Sequence, residues 1–446
     1  MHPVKLIKFH LYLFQLENYN VERFLSLVLR KYKPTSSPRK QLVWTPKLIL
    51  IFILAVLMQV ALVFLFAILN FQAIFLILLI CVLPYCYFVF LIASLILIYP
   101  IDLLVKISVV NRAKRKIQKF KNLKIIGVTG SYGKTTMKEV LGTVLRIKYR
   151  VLSTPDSVNT LVGIGRLILE ELSEQTEIFI VEMGAYKLGE IRKLCKLTQP
   201  AIAILTGINE AHLERFGSLQ NTIAAKFEIV ENSASDALVV LNEDNKLITK
   251  NYQHFIGGRD FKFYSTKTLS RFETSLLGDY AKGTVNAAEI IARKLGLDDE
   301  QISRGISQIK PVPHRLEPIH NKQTDILVID DSYSGNPEGA AEAIKVLKSF
   351  KDRRKIYITP GLVEMGKAAR EIHLEIGRQL AEAADVVILI KNSVTPFIEE
   401  GIVCAPKDIA KIIWFENAKA AHAALPQILK RGDVILFQND WPENYV

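Results

Sequence analysis

A glycine-rich segment, GVTGSYGKTT at residues 127–136, carries residue types suited to binding phosphate. It follows an apolar run and precedes a helical pattern, so its backbone N–H groups would face an anion at a helix N-terminus. Lys134 would neutralise phosphate charge, and the Thr135 hydroxyl would reach Mg²⁺. The usual G-x-x-x-x-G-K-[ST] spacing fails, because Val128 stands where the first glycine is expected. The expected nucleotide contacts in this segment are Gly130, Ser131, Gly133, Lys134, Thr135 and Thr136.

Chemically useful side chains also follow two other apolar runs. Glu182 lies near the end of the apolar run IFIVEMG, where a carboxylate could bind a metal directly or through water. His212 follows AIAILTGI, and with Glu182 at the preceding strand end, a role as a metal ligand is an open possibility. Lys226, in NTIAAKFEIV, reads from the residues alone as a lysine on an amphipathic helix.

The chain after Lys124 alternates short apolar runs with amphipathic stretches such as 134–147 and 369–383. This alternation predicts an α/β fold, with parallel sheets covered by helices. Ligands in such folds bind at the carboxyl ends of strands. The candidate strands are KIIGVTG, IFIVEMG, AIAILTGI, ALVVLN, ILVIDDSY, KIYITPG, VVILI and VILFQ.

The N-terminal region has a different composition. Residues 1–124 contain 17 Lys and Arg but only three acidic residues, whereas the rest of the chain is nearly neutral. Two charge-free apolar runs, at about 48–69 and 73–98, are each long enough to span a bilayer. A buried helical hairpin in a soluble core is the alternative. Basic residues flank both outer ends, which predicts a hairpin with both flanks in the cytoplasm. The segment VERFLSLVLRKYK combines a helical apolar pattern with basic residues, which predicts an interfacial helix.

The charge and cysteine patterns exclude two classes of protein. Because the basic excess flanks apolar segments, an anionic membrane surface is the expected partner, and nucleic acid is not. The four cysteines, Cys81, Cys86, Cys195 and Cys404, include no C-x-x-C pair, so a zinc ribbon is not expected.

Several motifs, in order, resemble those of the Mur ligases: GSYGKTT, VEMG, INEAHLERFGS with AAKFEIV, TVNAAEIIARKLGL, PHRLE, DDSYSGNP and GLVEMG. The resemblance covers roughly residues 122–438, and it accounts for the shorter G-x-x-G-K-T loop. It implies a central P-loop ATPase domain over 121–311 and a C-terminal Rossmann-like domain over 312–446, after the basic membrane module over 1–120 that the apolar runs predict. DDSYSGNP is similar to the box of the branch that adds D-alanyl-D-alanine to a muramoyl tripeptide, with Ser334 replacing an asparagine.

The resemblance implies an ATP- and Mg²⁺-dependent ligase that joins a carboxylate to an amine through an acyl phosphate. Lys134, His212 and Lys226 would be the catalytic residues. Lys226 matches a lysine that the family often carbamylates, which turns a cation into an anion able to hold a second metal. The implied metal ligands are Thr135, Glu182, His212 and Lys226.

Three further residues match nucleotide contacts of the family. Asn286 resembles an asparagine that contacts adenine, although it could also start a helix. Arg315 resembles an arginine that reaches the phosphates, although it could be a surface charge near a hinge. Asp331 resembles an acid that contributes to the nucleotide site, although it could cap the helix expected near Asn336.

The chain also departs from the family. A membrane hairpin stands where a UDP-sugar-binding domain is usual, so the acceptor could be UDP-linked or lipid-linked, and the location is expected to be the inner membrane. The C-terminal FQNDWPENYV lacks the family's basic stretch. Alternatives are an amidoligase acting on a lipid-linked muropeptide, a folylpolyglutamate-synthase-like enzyme and a non-catalytic membrane scaffold. The first usually has a four-cysteine insert that this chain lacks, and the intact Lys134, Thr135 and Glu182 argue against the last.

Overall fold

The computed structural model describes residues 3–17, 19–29, 42–69, 71–155, 158–209, 216–268, 272–333, 335–362, 365–405 and 410–438. His212, Ser334 and the C-terminal residues 439–446 lie outside this described part. The chain divides into two compact units, Met1–Ser108 and Val109–Val446.

The first unit is helical. Its helices are α1 (Pro3–Leu16), α2 (Val21–Leu29), α3 (Pro46–Ile68), α4 (Ala73–Val82) and α5 (Tyr87–Ile117), the last of which continues beyond Ser108. Thr45 caps α3 by accepting a hydrogen bond from the Leu48 N–H at 3.2 Å, and Pro46 suits the first helical position. Side chains from α1, α2, α3 and α5 form one apolar core: Leu11, Leu13, Phe14, Phe24, Leu48, Ile51, Ala55, Tyr87, Leu91 and Ile98.

The structure corrects the second predicted span. A single helix over 73–98 was expected, but α4 ends at Val82 and α5 begins at Tyr87. Pro84 lies in this break. Proline lacks an N–H and its ring clashes with the carbonyl one turn earlier, so it interrupts the helix. Within the described residues, the helices with the length and composition to cross a membrane are Pro46–Ile68 and Tyr87–Ile117.

Much of the apolar surface of these helices is not covered by protein. Val60, Phe64, Ile74 and Leu97 each expose more than half of their surface. The helix predicted in VERFLSLVLRKYK is confirmed over α2, whereas its placement at a membrane interface stays a prediction.

The second unit contains two six-stranded sheets. The first has β1 (Lys124–Thr129), β2 (Val151–Ser153), β3 (Ile178–Met183), β4 (Ile202–Leu205), β5 (Leu238–Asn242) and β6 (Phe261–Tyr264). Its strands are all parallel, in the order β2-β3-β1-β4-β5-β6. The described helices along this part are α6 (Lys134–Leu145), α7 (Leu161–Glu170), α8 (Glu190–Thr198), α9 (Leu219–Asn232), α10 (Lys246–Phe255), α11 (Asp279–Lys294) and α12 (Asp299–Ser307).

The second sheet has β7 (Glu317–Asn321), β8 (Ile326–Asp331), β9 (Lys355–Thr359), β10 (Val386–Ile390), β11 (Lys411–Phe415) and β12 (Val434–Gln438). Their order is β11-β10-β9-β12-β8-β7, and only β7 runs antiparallel to its neighbour. The described helices are α13 (Pro337–Ser349), α14 (Ala369–Ala383), α15 (Thr395–Val403) and α16 (Ala418–Ile428), with a 3-10 turn at Gly366–Ala368.

Both faces of the first sheet are buried, which explains the continuous apolar strands. Along β3, Ile178 and Ile180 face one apolar cluster, whereas Phe179 and Val181 face the other. The expected α/β class is confirmed. The sheets fall within 121–311 and 312–446, but the domain bounds themselves stay a prediction, because Val109–Val446 is one compact unit.

Candidate functional site

The glycine-rich segment forms a tight turn between the end of β1 and the start of α6. Gly133 has φ of 74°, a left-handed conformation that favours glycine at the position before the helix. A Cβ atom at Gly130 would collide with the Thr206 hydroxyl. The Ser131 N–H donates to the Gly207 carbonyl at 2.8 Å. The predicted phosphate loop therefore lies at the carboxyl end of a central strand, as the fold requires of a ligand site.

Lys134, the first residue of α6, folds back over this loop. Its Nζ donates to the Gly130 carbonyl at 2.8 Å. Removal from water lowers the pKa of Lys134; the Glu182 carboxylate opposes this shift, and the Arg315 charge adds to it. Lys134 thus interacts electrostatically with both Glu182 and Arg315.

Thr135, in the first turn of α6, meets Glu182, near the end of β3. β1 and β3 pair so that Val128 is opposite Glu182, and the Thr135 Oγ1 donates to the Glu182 Oε2 at 3.1 Å. The Glu182 N–H donates to the Thr154 Oγ1 at 3.0 Å, which fixes the strand end. A hydroxyl and a carboxylate oxygen are the hard donors that Mg²⁺ prefers, so this pair fits the expected nucleotide-bound metal. The adjacent Thr136 is buried.

Lys226 is not a surface lysine. It lies on α9 with only 3% of its surface exposed, and its Nζ donates to the Ala185 carbonyl at 3.5 Å. The Nζ also lies 5.6 Å from the centre of the Phe216 ring. Burial lowers the pKa of Lys226 to about 7; the Lys134 charge adds to the shift, and Glu190 opposes it. The surface interpretation of the sequence is wrong, because the amphipathic helix turns this lysine inward.

Glu228, two residues further along α9, is a structural element of the site that the motifs did not single out. It is 1% exposed and accepts hydrogen bonds from the Gly189 N–H at 2.6 Å and the Arg192 N–H at 3.0 Å. The Arg192 guanidinium adds a third contact at 3.2 Å. Glu228 therefore caps the N-terminus of α8 and fixes the segment that follows β3.

Asn286 lies inside α11, so the possibility that it starts a helix is wrong. Its amide donates to the Ser265 carbonyl at 2.7 Å and the Thr268 carbonyl at 3.1 Å. The residue is buried and holds the segment after β6 against the helix. Its predicted contact with adenine stays a prediction.

Arg315 and Asp331 belong to one local arrangement where the second sheet begins. The Arg315 guanidinium donates to the Tyr333 carbonyl at 2.7 Å and lies 4.6 Å from the centre of that ring. The buried Asp331 accepts a hydrogen bond from the Leu316 N–H at 3.1 Å. Asp331 does not cap α13, because the Asn336 side chain does so by accepting from the Gly339 N–H at 2.9 Å.

The two sheets are joined near this site by α13. The Asn209 side chain, from the segment after β4, donates to the Glu338 carboxylate, and the Asn209 N–H donates to the Ser131 Oγ at 3.3 Å. The Asp279 N–H, at the start of α11, donates to the Glu342 carboxylate. These contacts connect the phosphate loop with the helix that follows the DDSYSGNP box.

Two family models match this chain. Residues 128–287 match the Mur ligase middle domain, and residues 314–438 match the Mur ligase, glutamate ligase domain. These ranges contain the phosphate loop, Glu182, Lys226, Arg315 and most strands of both sheets.

Curated relatives carry the name UDP-N-acetylmuramoyl-tripeptide–D-alanyl-D-alanine ligase. The Bacillus subtilis protein is 28% identical over 341 residues, which are 71% of this chain and 72% of the relative. The Escherichia coli protein is 27% identical over 289 residues, or 59% of this chain and 63% of the relative. The chain thus spans less than two thirds of some relatives.

Solved structures give the same assignment. A MurF ligase from Thermotoga maritima, in complex with ADP, aligns with a TM-score of 0.65 and 26% identity over 75% of this chain and 80% of that protein. MurF from Acinetobacter baumannii shares the fold, with a TM-score of 0.67, 23% identity and coverage of 75% and 77%. With both ligase domains matched and this fold, the chain belongs to the Mur ligase family.

Proposed function

We propose that this protein is an ATP- and Mg²⁺-dependent ligase that adds D-alanyl-D-alanine to a muramoyl-peptide precursor of peptidoglycan. The observation that supports this best is the convergence of Lys134, Thr135, Glu182 and the buried Lys226 at one end of the first sheet. The printed names of the relatives supply the substrate class. The fold supplies a second domain beside the nucleotide site.

The proposed reaction has two steps. The acceptor carboxylate attacks the γ-phosphorus of ATP, which forms an acyl phosphate and expels ADP. The free amine of D-alanyl-D-alanine then attacks the acyl carbon, loses a proton, and phosphate leaves as the amide forms. Lys134 neutralises charge on the transferred phosphoryl group, and the loop N–H groups orient it. Bound Mg²⁺, held by Thr135 and Glu182, would offset the remaining phosphate charge.

We further propose that Lys226 carries a carbamate. With a pKa of about 7, about half of this lysine is neutral at neutral pH, whereas an exposed lysine is almost wholly protonated. A neutral amine adds CO₂ and releases one proton to give the carbamate anion. That anion would attract Lys134, where the ammonium now repels it, and could hold the second metal with His212. Because His212 lies outside the described residues, its part in this pair rests on the sequence alone.

Asn286, Arg315 and Asp331 complete the proposed nucleotide site. Asn286 would contact adenine directly or through the Ser265–Thr268 segment that it anchors. Arg315 would reach the phosphates from the second domain, and Asp331 would hold the backbone beside it. The Arg315 charge lowers the pKa of Lys134, so the two side chains interact electrostatically.

We also propose that the enzyme is a multi-pass protein of the inner membrane, with its ligase domains in the cytoplasm. The exposed apolar side chains of α3, α4 and α5 would contact lipid, and the basic residues after Ile107 would face anionic headgroups. Such an anchor would favour a lipid-linked acceptor, because it holds the enzyme at the surface that carries that substrate.

One experiment separates these possibilities. The full-length protein in detergent is incubated with ATP, Mg²⁺, D-alanyl-D-alanine and either the UDP-linked or the lipid-linked muramoyl tripeptide. The masses of the products are measured by mass spectrometry. A product heavier by the dipeptide minus water, with one ADP and one phosphate, supports the proposal. A parallel reaction contains ammonia in place of the dipeptide, and an amidated product there would identify the amidoligase instead. If no ATP-dependent product forms with either acceptor or either amine, the result favours the non-catalytic scaffold.

A further inference from the structure

The phosphate-loop helix contains a second lysine that no motif assigns. Lys138, one turn after Lys134 on α6, has no exposed surface and lies beside the buried Met137 and Leu141. Its Nζ is 3.5 Å from the Glu182 Oε2 and 3.3 Å from the Glu139 Oε1. A buried ammonium is costly unless a carboxylate balances it, so this pairing is a specific feature of the site.

Lys138 and Thr135 contact the same carboxylate oxygen of Glu182. The Thr135 hydroxyl donates to the Oε2 at 3.1 Å, and the Lys138 ammonium approaches the same atom. A hydrogen bond and an ion pair from one helix therefore fix the direction of the Glu182 carboxylate near the end of β3. The orientation of a metal-ligating carboxylate usually depends on such outer contacts.

We infer that Lys138 is a positioning residue that orients Glu182 and supplies positive charge beside it when no divalent cation is bound. The inference rests on the nucleotide site proposed above. The positive charge of Lys138 has opposite effects on two ligands. The ammonium attracts metal-free nucleotide phosphate, but it repels a cation that approaches Glu182.

The charge argument predicts how strongly nucleotide binding depends on the metal. Without the Lys138 charge, the net charge near Glu182 is more negative. ADP alone should then bind more weakly, whereas the ADP–Mg²⁺ complex should lose less binding affinity. The ratio of the ADP dissociation constant in EDTA to that in Mg²⁺ should therefore rise by at least about tenfold in Lys138→Met. A purely structural role would change both constants by the same factor.

The test is calorimetric titration of the full-length protein in detergent with ADP, once in EDTA and once in Mg²⁺. Lys138→Met is compared with Lys138→Arg, which keeps the charge and should keep the ratio within about threefold. Lys138→Gln is a second neutral variant, with a polar end that tolerates the neighbouring carboxylates, and its ratio should rise as well.

Each outcome decides something different. A ratio unchanged in both neutral variants overturns the inference. Failure of the unsubstituted protein to bind ADP in either buffer overturns the nucleotide site itself. ADP binding with an unchanged ratio leaves that site in place and removes only the role of Lys138.

Discussion

The ammonium of Lys226 lies 3.5 Å from the carbonyl oxygen of Ala185, three residues beyond Glu182. Glu228, on the same helix as Lys226, fixes the other end of this segment at Gly189. One helix therefore holds both ends of the segment that follows β3. The lysine proposed as a carbamate therefore contacts the segment that directly follows the carboxylate proposed as a metal ligand.

Replacement of Lys226 separates a functional from a structural role. Lys226→Met should lose at least about a hundredfold of ligase activity, because no anion can form there. The folded-state pKa lies below the unfolded value, so the buried lysine costs stability at neutral pH. The variant should therefore unfold at the same or a higher temperature in a thermal melt, with a gain of about 1–4 kcal/mol at most. Lys193→Met, at an exposed position on α8, is the matched control and should change neither quantity.

Carbon dioxide should distinguish a carbamate from a plain amine. Activity of the unsubstituted protein should fall when CO₂ is removed and return with bicarbonate, whereas bicarbonate should not restore Lys226→Met. Short carboxylic acids are expected to restore part of the activity of that variant, since they place an anion in the same space. A fully active Lys226→Met would remove the carbamate and the second metal site together.

The pH dependence follows from the direction of the same shift. Below about pH 7 Lys226 is mostly protonated, and a protonated amine cannot add CO₂. The rate should therefore rise between about pH 6 and pH 8 and level off above. The measurement is the initial rate of ADP release at fixed dissolved CO₂, with Lys226→Met plus a short carboxylic acid as the control whose profile should lack this rise. A flat profile for the unsubstituted protein over this range would contradict a carbamate at Lys226.

The central strands of both sheets were predictable, and the edge strands were not. All eight apolar runs identified in the sequence are strands, from β1 to β12. The four missed strands, β2, β6, β7 and β11, are the outer strands of the two sheets. An edge strand has fewer buried positions, so sequences such as EPIHN and FKFY lack the continuous apolar run that marks a central strand.

The site was predictable where motif residues contact each other. It was not predictable where packing against a distant element determines the burial or the partner of a side chain. The Thr135–Glu182 contact follows because Thr135 starts the helix after β1 and Glu182 lies near the end of the adjacent strand β3. The burial of Lys226 depends on α9 packing against α8, which no local spacing encodes. The hydrogen bonds of Glu228 and the ion pair of Lys138 with Glu182 likewise depend on partners 36 or more residues away. Their charges inside apolar helix faces were the available signal, because a charge at such a position needs a partner.

Lys134→Ala tests the phosphate loop. The variant should lose at least about a thousandfold of ATP-dependent ligation, because the charge on the transferred phosphoryl group is no longer neutralised. Stability should change by only about 1 kcal/mol, since one hydrogen bond to Gly130 is lost. Steady-state assays and thermal melts measure the two effects, with Lys196→Ala at an exposed position as the control. Turnover equal to that of the unsubstituted protein would refute the loop assignment.

Glu228→Ala should loosen the segment after β3. The variant leaves two backbone N–H groups and the Arg192 guanidinium without their carboxylate, which should cost about 2–4 kcal/mol of folding free energy. It should also lower kcat through the displaced segment, whereas Glu228→Gln should recover part of both. Chemical denaturation and steady-state kinetics give these values. Glu231→Ala, exposed on the same helix, is the control, and equal stability of both alanine variants would show that the cap is unimportant.

The last prediction concerns the orientation of the helical unit in a membrane. Lys and Arg are concentrated before α3 and after Ile107, whereas Phe71–Gln72 between α3 and α4 has none, so both flanks should be cytoplasmic and this link external. Single cysteines at Gln72→Cys and Lys40→Cys, in a protein whose four native cysteines are replaced, can be labelled in intact cells with a membrane-impermeant maleimide. Gln72→Cys should react from outside, and Lys40→Cys should react only after the membrane is opened. Lys322→Cys, in the ligase domains, is the cytoplasmic control. Labelling of Lys40→Cys in intact cells would show that the topology is the reverse of the predicted one. If none of the three cysteine variants is labelled before lysis, the result would favour a helical unit that does not cross the bilayer.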